Sequence, residues 1–346
     1  MLRLLPCLLA LLGTASAHEK WFIDAAPYPN RFELIFRPLP LTLIAAVLLG
    51  ALGAAWWQRR RDGRGFLPTF ATFGATGERL ALLYAFIPAI LAAHLAVPLL
   101  VSGVEGRLFS PNNQLLGGWA YPVGLLEVGI ALALFYGGFT RIAALALGLL
   151  WFAGLALAGV SDMLDNLHYL GFAVFFYLAG RGPFSVGRLV LPNTEPPARL
   201  ARFAVPALRI GVALSLIAVA FSEKFANLPL AGAFLQEYPL NVPGNFGLPL
   251  PDETFVLLAG SVELLVGVFL LFNLFPREII VLAWLPFNLT LTVFRWEELV
   301  GHLPFYGVMA LLLAWDHAKR RQNEQQNLWQ RGLHELVMPS RTEREN

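Results

Sequence analysis

Charge is what this sequence has least of. Asp, Glu, Lys and Arg make up 14% of its 346 residues against 57% hydrophobic, and mean hydropathy is +0.61. A soluble globular chain carries roughly 25% charged residues, so this chain cannot cover a folded surface with polar groups. Its apolar runs reach the length of about 20 residues that a bilayer crossing requires. The formal charge of +2 is too small to hold a nucleic acid. Cysteine is nearly absent: Cys7 is the only one, and it lies in the apolar leader. A chain without that leader has no thiol, which excludes disulfide exchange, thiolate metal ligation, iron–sulfur clusters and covalent haem attachment. Also missing are a phosphate-binding glycine loop, a dinucleotide fingerprint, a nucleophile elbow and an HExxH helix.

What is present begins with residues 1–17, a signal peptide by its Arg3, the apolar core "LLPCLLALLG" and the small residues Ala15 and Ala17. Cleavage after Ala17 makes His18 the mature N-terminus, with a free amine beside its imidazole. An all-α membrane protein follows, with about nine transmembrane helices near 40–57, 80–103, 118–138, 141–160, 164–180, 205–223, 254–274, 278–294 and 301–316. Residues 18–39 form a periplasmic segment, 181–204 a cytoplasmic linker and 317–346 a cytoplasmic tail. With the N-terminus outside, eighteen Lys and Arg fall on the inner side and six on the outer, the asymmetry the positive-inside rule requires. The setting this implies is a bacterial inner membrane.

Two stretches match at an offset of 136. "GLLEVGIALALFYGGFTRIAALALGLLW" (124–151) and "GSVELLVGVFLLFNLFPREIIVLAWLPF" (260–287) pair Glu127 with Glu263 and Arg141 with Arg277. His168 falls opposite His302, and anchoring Arg79 on Arg209 sets His94 opposite Lys224. The expectation is two parallel four-helix repeats, 80–180 and 205–316, behind one N-terminal helix. A Lys late in the first helix of the unit, "AFSEKFANLPLAG", a Glu within the second, "LLAGSVELLVGVFLLF", and a short basic turn into the third resemble DoxX-like membrane proteins. The second repeat fits better than the first. The resemblance implies a membrane subunit of a quinone-linked sulfur-oxidation or stress-response complex. It marks Lys224 and Glu263, and through the repeat Glu127, as the candidate catalytic residues. It leaves "HEKWF" unexplained.

Glu127 and Glu263 read as the only acids inside spans, and an ionisable group there costs roughly 2.5–3.5 kcal/mol. They are expected to face the bundle interior, as a proton-relay or ligand-binding pair or as structural acids. His18, His94, His168 and His302 gather on the outer side, whereas His317 and His334 lie inside. An N-terminal histidine can chelate copper through its amine and imidazole, with one further imidazole completing the set. The plainer reading makes "HEKWF" an interfacial lid at headgroup depth. Acids in the outer loops suggest a mouth that attracts cations, and the loop 224–253 a cap or a docking site. Three functions follow: a membrane subunit of a periplasm-facing redox system with quinone as substrate; a transporter or copper-type metal-handling protein with the histidines at its mouth; or a scaffold for a periplasmic partner.

Overall fold

The computed structural model describes residues 18–191, 194–241, 244, 250–315 and 322–334. The leader and its cleavage site lie outside them, as does His317. Among the described residues the chain is all-helical, apart from one isolated bridge between Arg107 and Gln114. After the single turn α1 (Glu19–Phe22) come α2 (Pro38–Arg60), α3 (Gly77–Glu105), α4 (Ala120–Tyr136) and α5 (Thr140–Leu157). Then follow α6 (Val160–Asp165), α7 (Leu167–Ala179), α8 (Val186–Val190) and α9 (Ala204–Val219), which runs on as a π turn (Ala220–Phe225). α10 (Leu228–Glu237), α11 (Asp252–Leu271), α12 (Pro276–Ala314) and α13 (Gln322–His334) complete the chain.

Seven of these helices are long and apolar enough to cross a membrane: α2, α3, α4, α5, α9, α11 and α12. Many of their large apolar side chains are exposed, among them Leu49, Leu52, Ile142, Leu149 and Val281. Such a surface is stable only against lipid, and helices are the open form that satisfies its own backbone there. The chain therefore has the architecture of a multi-pass membrane protein.

α12 is two helices in one. Its 39 residues would run close to 60 Å if straight, but Arg295 breaks it with φ 52° and ψ −115°. Beyond that residue the chain doubles back: Arg277 Nε donates to Leu313 O at 2.9 Å, and Tyr306 Oη to Phe287 O at 3.0 Å. The arms 276–294 and 296–314 form a hairpin.

Two long-range pairings organise the rest. α7 lies antiparallel along α9, so close that a Cβ added at Gly171 would come 3.0 Å from Gly211 Cα. The arm 296–314 lies along α3, with Gly307 against Leu91 and His94. Gly171 and Gly307 are 136 positions apart. The turns into α5 and α12 share an unusual backbone at the same offset of 136. Gly137 (φ 73°) and Phe139 (φ 53°) are left-handed in one, Asn273 (φ 57°) and Phe275 (φ 40°) in the other.

The ends of the bundle differ in character. One end is rich in arginine: Arg181 donates to the carbonyls of Leu134 and Phe135 that close α4, and Arg209 to those of Leu270 and Leu271 that close α11. There α13 docks on α3, burying Trp329, whose Nε1 donates to Ala201 O at 3.3 Å. Within the segment read as a cytoplasmic tail, residues 322–334 thus pack on the bundle. At the other end α1 and α10 close the bundle, with Phe22, Phe234, Tyr238 and Phe294 in one aromatic cluster. α2 packs on the outside of α11 through Val47 and Ala51.

Candidate functional site

Beneath α1 lies a buried ionic chamber. α9 is regular to Val219 and then widens, so that Ala226 N bonds Phe221 O, five residues back, at 2.8 Å. A π turn re-aims side chains that a regular helix would spread around its circumference. Here it turns three successive residues, Ser222, Glu223 and Lys224, into the protein. Lys224 Nζ lies 3.2 Å from Glu223 Oε2, 3.4 Å from Glu263 Oε1 and 3.7 Å from Glu19 Oε1.

The second lysine comes from the N-terminal segment. Lys20 Nζ donates to Asp165 Oδ2 at 2.6 Å, to Asp162 Oδ1 at 2.9 Å and to Ser161 Oγ at 3.3 Å. Ser222 Oγ donates to the other oxygen of Asp165 at 2.7 Å. Glu19 is tied by its backbone N–H to Glu223 Oε2 at 2.8 Å, and His18 Nδ1 stands 3.5 Å from Glu223 Oε1. The charged half of "HEKWF" thus points into the protein beneath α1. All three residues are buried, because each finds a partner inside that water would otherwise have to supply. Trp21 and Phe22, which follow them, are half-buried.

Charge and burial compete at these residues. Burial opposes the charged form of His18, but its hydrogen bond to Glu223 and that carboxylate's charge outweigh it and raise the pKa above 6.5. Burial raises Glu19 well above its ordinary 4.5, against the pull of Lys224. Lys20 loses solvation too, yet Asp165, Glu223 and Asp162 hold it above its usual value.

The histidines are divided. His18 stacks on Trp21 with centroids 4.1 Å apart and stands 5.3 Å from the His302 ring. His302 Nδ1 faces Glu298 Oε1 at 3.4 Å. His168 Nδ1 is 3.0 Å from Ser215 Oγ, and Phe305 touches both His168 (4.7 Å) and His302 (5.9 Å). His94 bonds Ile90 O of its own helix at 2.8 Å and joins none of these. Among the described residues no three His, Cys, Asp or Glu side chains converge as a metal-holding group.

Three sequence readings need correction. Glu127 and Glu263 are not the only acids within helices, since Glu298 and Glu223 are fully buried in them. Glu127 and Glu263 also do different work. Glu263 pairs with Lys224, whereas Glu127 accepts Phe109 N at 2.9 Å and pins the loop after α3. Gly260 packs on Lys224 and Gly124 on Gly103, while His94 packs on Gly307. Finally, Asp165, Glu223 and Glu298 leave the expected acidic mouth for the interior, while Glu105, Glu237, Asp252, Glu253 and Glu297 remain exposed.

No protein-family model, curated protein or solved structure matches the chain. Fold and site by themselves define the class: a multi-pass helical membrane protein with an ion-paired chamber buried at one end of its bundle.

Proposed function

We propose that this protein handles a cation, protons or a metal ion such as copper, through the chamber beneath α1. The observation that carries this is the charge within it. Five buried or nearly buried carboxylates, Glu19, Asp165, Glu223, Glu263 and Glu298, share it with two lysines, Lys20 and Lys224. With all five ionised, the lysines leave three negative charges, of which a protonated His18 answers one; the remainder stands where water is largely excluded, a state costing several kcal/mol per ion. Protons or a cation must make up the difference. His18, His168 and His302 stand where they can carry either.

In this reading the helices make nine passes: the hairpin at Arg295 supplies two, and α7, short by itself, one. The arrangement is one N-terminal helix and two parallel four-helix repeats. Its support is the shared left-handed turns and the matched packing of Gly171 and Gly307. The basic asymmetry puts the chamber on the periplasmic side of a bacterial inner membrane and the arginine end in the cytoplasm. Cleavage after Ala17 would free the His18 amine beside His302. A second reading, the quinone-linked redox subunit, is favoured by one contact: Lys224 and Glu263, the residues that resemble DoxX-like proteins, pair at 3.4 Å.

Proteoliposomes separate the two readings. A cation-handling protein dissipates an imposed proton or copper(II) gradient faster than protein-free vesicles do, and Glu223→Gln returns the rate to the protein-free level. Wild-type vesicles tight to both cations overturn the proposal; bound quinone recovered from the same preparation would then support the redox subunit.

A further inference from the structure

A cavity of about 340 Å³ opens at the arginine end, where the start of α5 meets the segment after α8. Thr140 and Arg141 line it, with Tyr177 and Glu195 on its walls and Ile142 and Leu145 toward its edge. It lies at the opposite end of the bundle from the chamber and shares no residue with it.

Four observations concern what would fill it. Thr140 is 6% exposed, yet among the described residues its Oγ1 has no hydrogen-bonding partner, nor has Arg141 Nε. A buried hydroxyl left without a partner is destabilising, so a ligand that supplies one is favoured. Arg141 lies with its guanidinium 4.5 Å over the Tyr177 ring, which fixes the charge in place. α5 also starts without a side-chain cap, from the left-handed Phe139, so the positive end of an 18-residue helix faces the same space. Glu195, the acid on the wall, has Arg188 as its neighbouring counter-charge. Lastly, Ile142 and Leu145 are 65% and 52% exposed, so the cavity continues onto the apolar outer face of α5.

The matching position in the second half shows what such a place requires. Arg277, 136 residues on, donates to Leu67 O at 3.2 Å and Pro68 O at 2.7 Å. Its helix begins with Pro276, which has no N–H to offer, and Glu278 accepts Phe66 N and Leu67 N. The chain's own loop fills that site. At Arg141 no segment of the described chain does so.

We propose that the Thr140–Arg141 pocket binds a phosphate group, either that of an anionic phospholipid at the membrane face or free inorganic phosphate. Arg141 supplies the charge, Thr140 Oγ1 donates a hydrogen bond, and the first turn of α5 adds its dipole.

The test uses the purified full-length chain. Native mass spectrometry after incubation with phosphatidylglycerol, or with phosphatidylcholine of the same acyl chains, reads lipid retention. Thermal unfolding with added inorganic phosphate reads the free ion. Phosphatidylglycerol retained severalfold over phosphatidylcholine, and lost to the phosphatidylcholine level in Arg141→Gln and Thr140→Val, supports the lipid source. A rise in unfolding temperature with phosphate, absent in those variants, supports the free ion. Equal retention of both lipids with no effect of phosphate overturns the proposal. So do variants that bind like the wild type. Thr140→Val changes so little volume that it stays informative even if Arg141→Gln fails to fold.

Discussion

Lys20 and Lys224 each face more than one carboxylate: Asp162 and Asp165 for Lys20, and for Lys224 the adjacent Glu223 together with the distant Glu19 and Glu263. That geometry gives the docked "HEK" segment a definite pH dependence. The raised pKa of His18 favours docking fully below its free value of 6.5, a contribution lost as pH climbs through the folded value. Glu19 behaves in the same direction, because its pKa is also raised: the folded state holds a proton that the free segment gives up near 4.5. The groups facing these two are Glu223, Lys224, Glu263 and Glu298. Lys20 is held above its ordinary value and releases only in strong alkali. The segment should therefore loosen as pH rises from about 5 to about 8. A spin label at Ala26→Cys in a Cys7→Ser background should gain mobility over that range. Unchanged or falling mobility would show that the segment is held by packing, not by its protons.

Among the elements, α12 decides the geometry of the site. Arg295 holds a left-handed backbone at φ 52°, ψ −115° with no glycine to ease it. Strain of this kind costs about 1–3 kcal/mol in a residue with a Cβ. Arg295 is itself exposed, and no ion pair of its guanidinium is seen among the described residues. Arg295→Gly should stabilise the protein by about 1 kcal/mol, allowing for the chain entropy glycine loses. The unfolding midpoint in detergent measures it. A lower midpoint would mean that the arginine side chain, not the backbone, holds the turn. The one-residue reversal also carries Glu298 out of a loop and into a helix. A hairpin expected to need several residues between 294 and 301 turns at one, so the second arm starts early and draws Glu298 and His302 inside.

At the scale of the whole molecule, α7 crosses to α9 and the arm 296–314 crosses to α3. Through these pairings His168 and His302 come to flank one side chain, Phe305. On the proposed nine passes, the two ends of the bundle would face opposite sides of the membrane. A reporter fused after Arg344 should read cytoplasmic, and one inserted in 237–247 periplasmic. Both on one side would remove the arrangement and the orientation of the chamber with it.

Composition and apolar run length by themselves determine that this chain is helical and membrane-embedded, because insertion depends on local hydropathy. The offset of 136 residues was legible for the same reason: its markers, Glu127 and Glu263, Arg141 and Arg277, stand out singly against an apolar background. The chamber was not legible. Burial of His18, Glu19, Lys20 and Glu298 is favourable only where partners from α6, α9, α11 and α12 converge, and no local pattern encodes a charge compensated across more than a hundred residues. The π turn that aims Glu223 and Lys224 inward together, and the backbone amide of Phe109 that Glu127 accepts, were likewise decided by packing. Sequence separation said nothing of them; only the fold brings those atoms within reach.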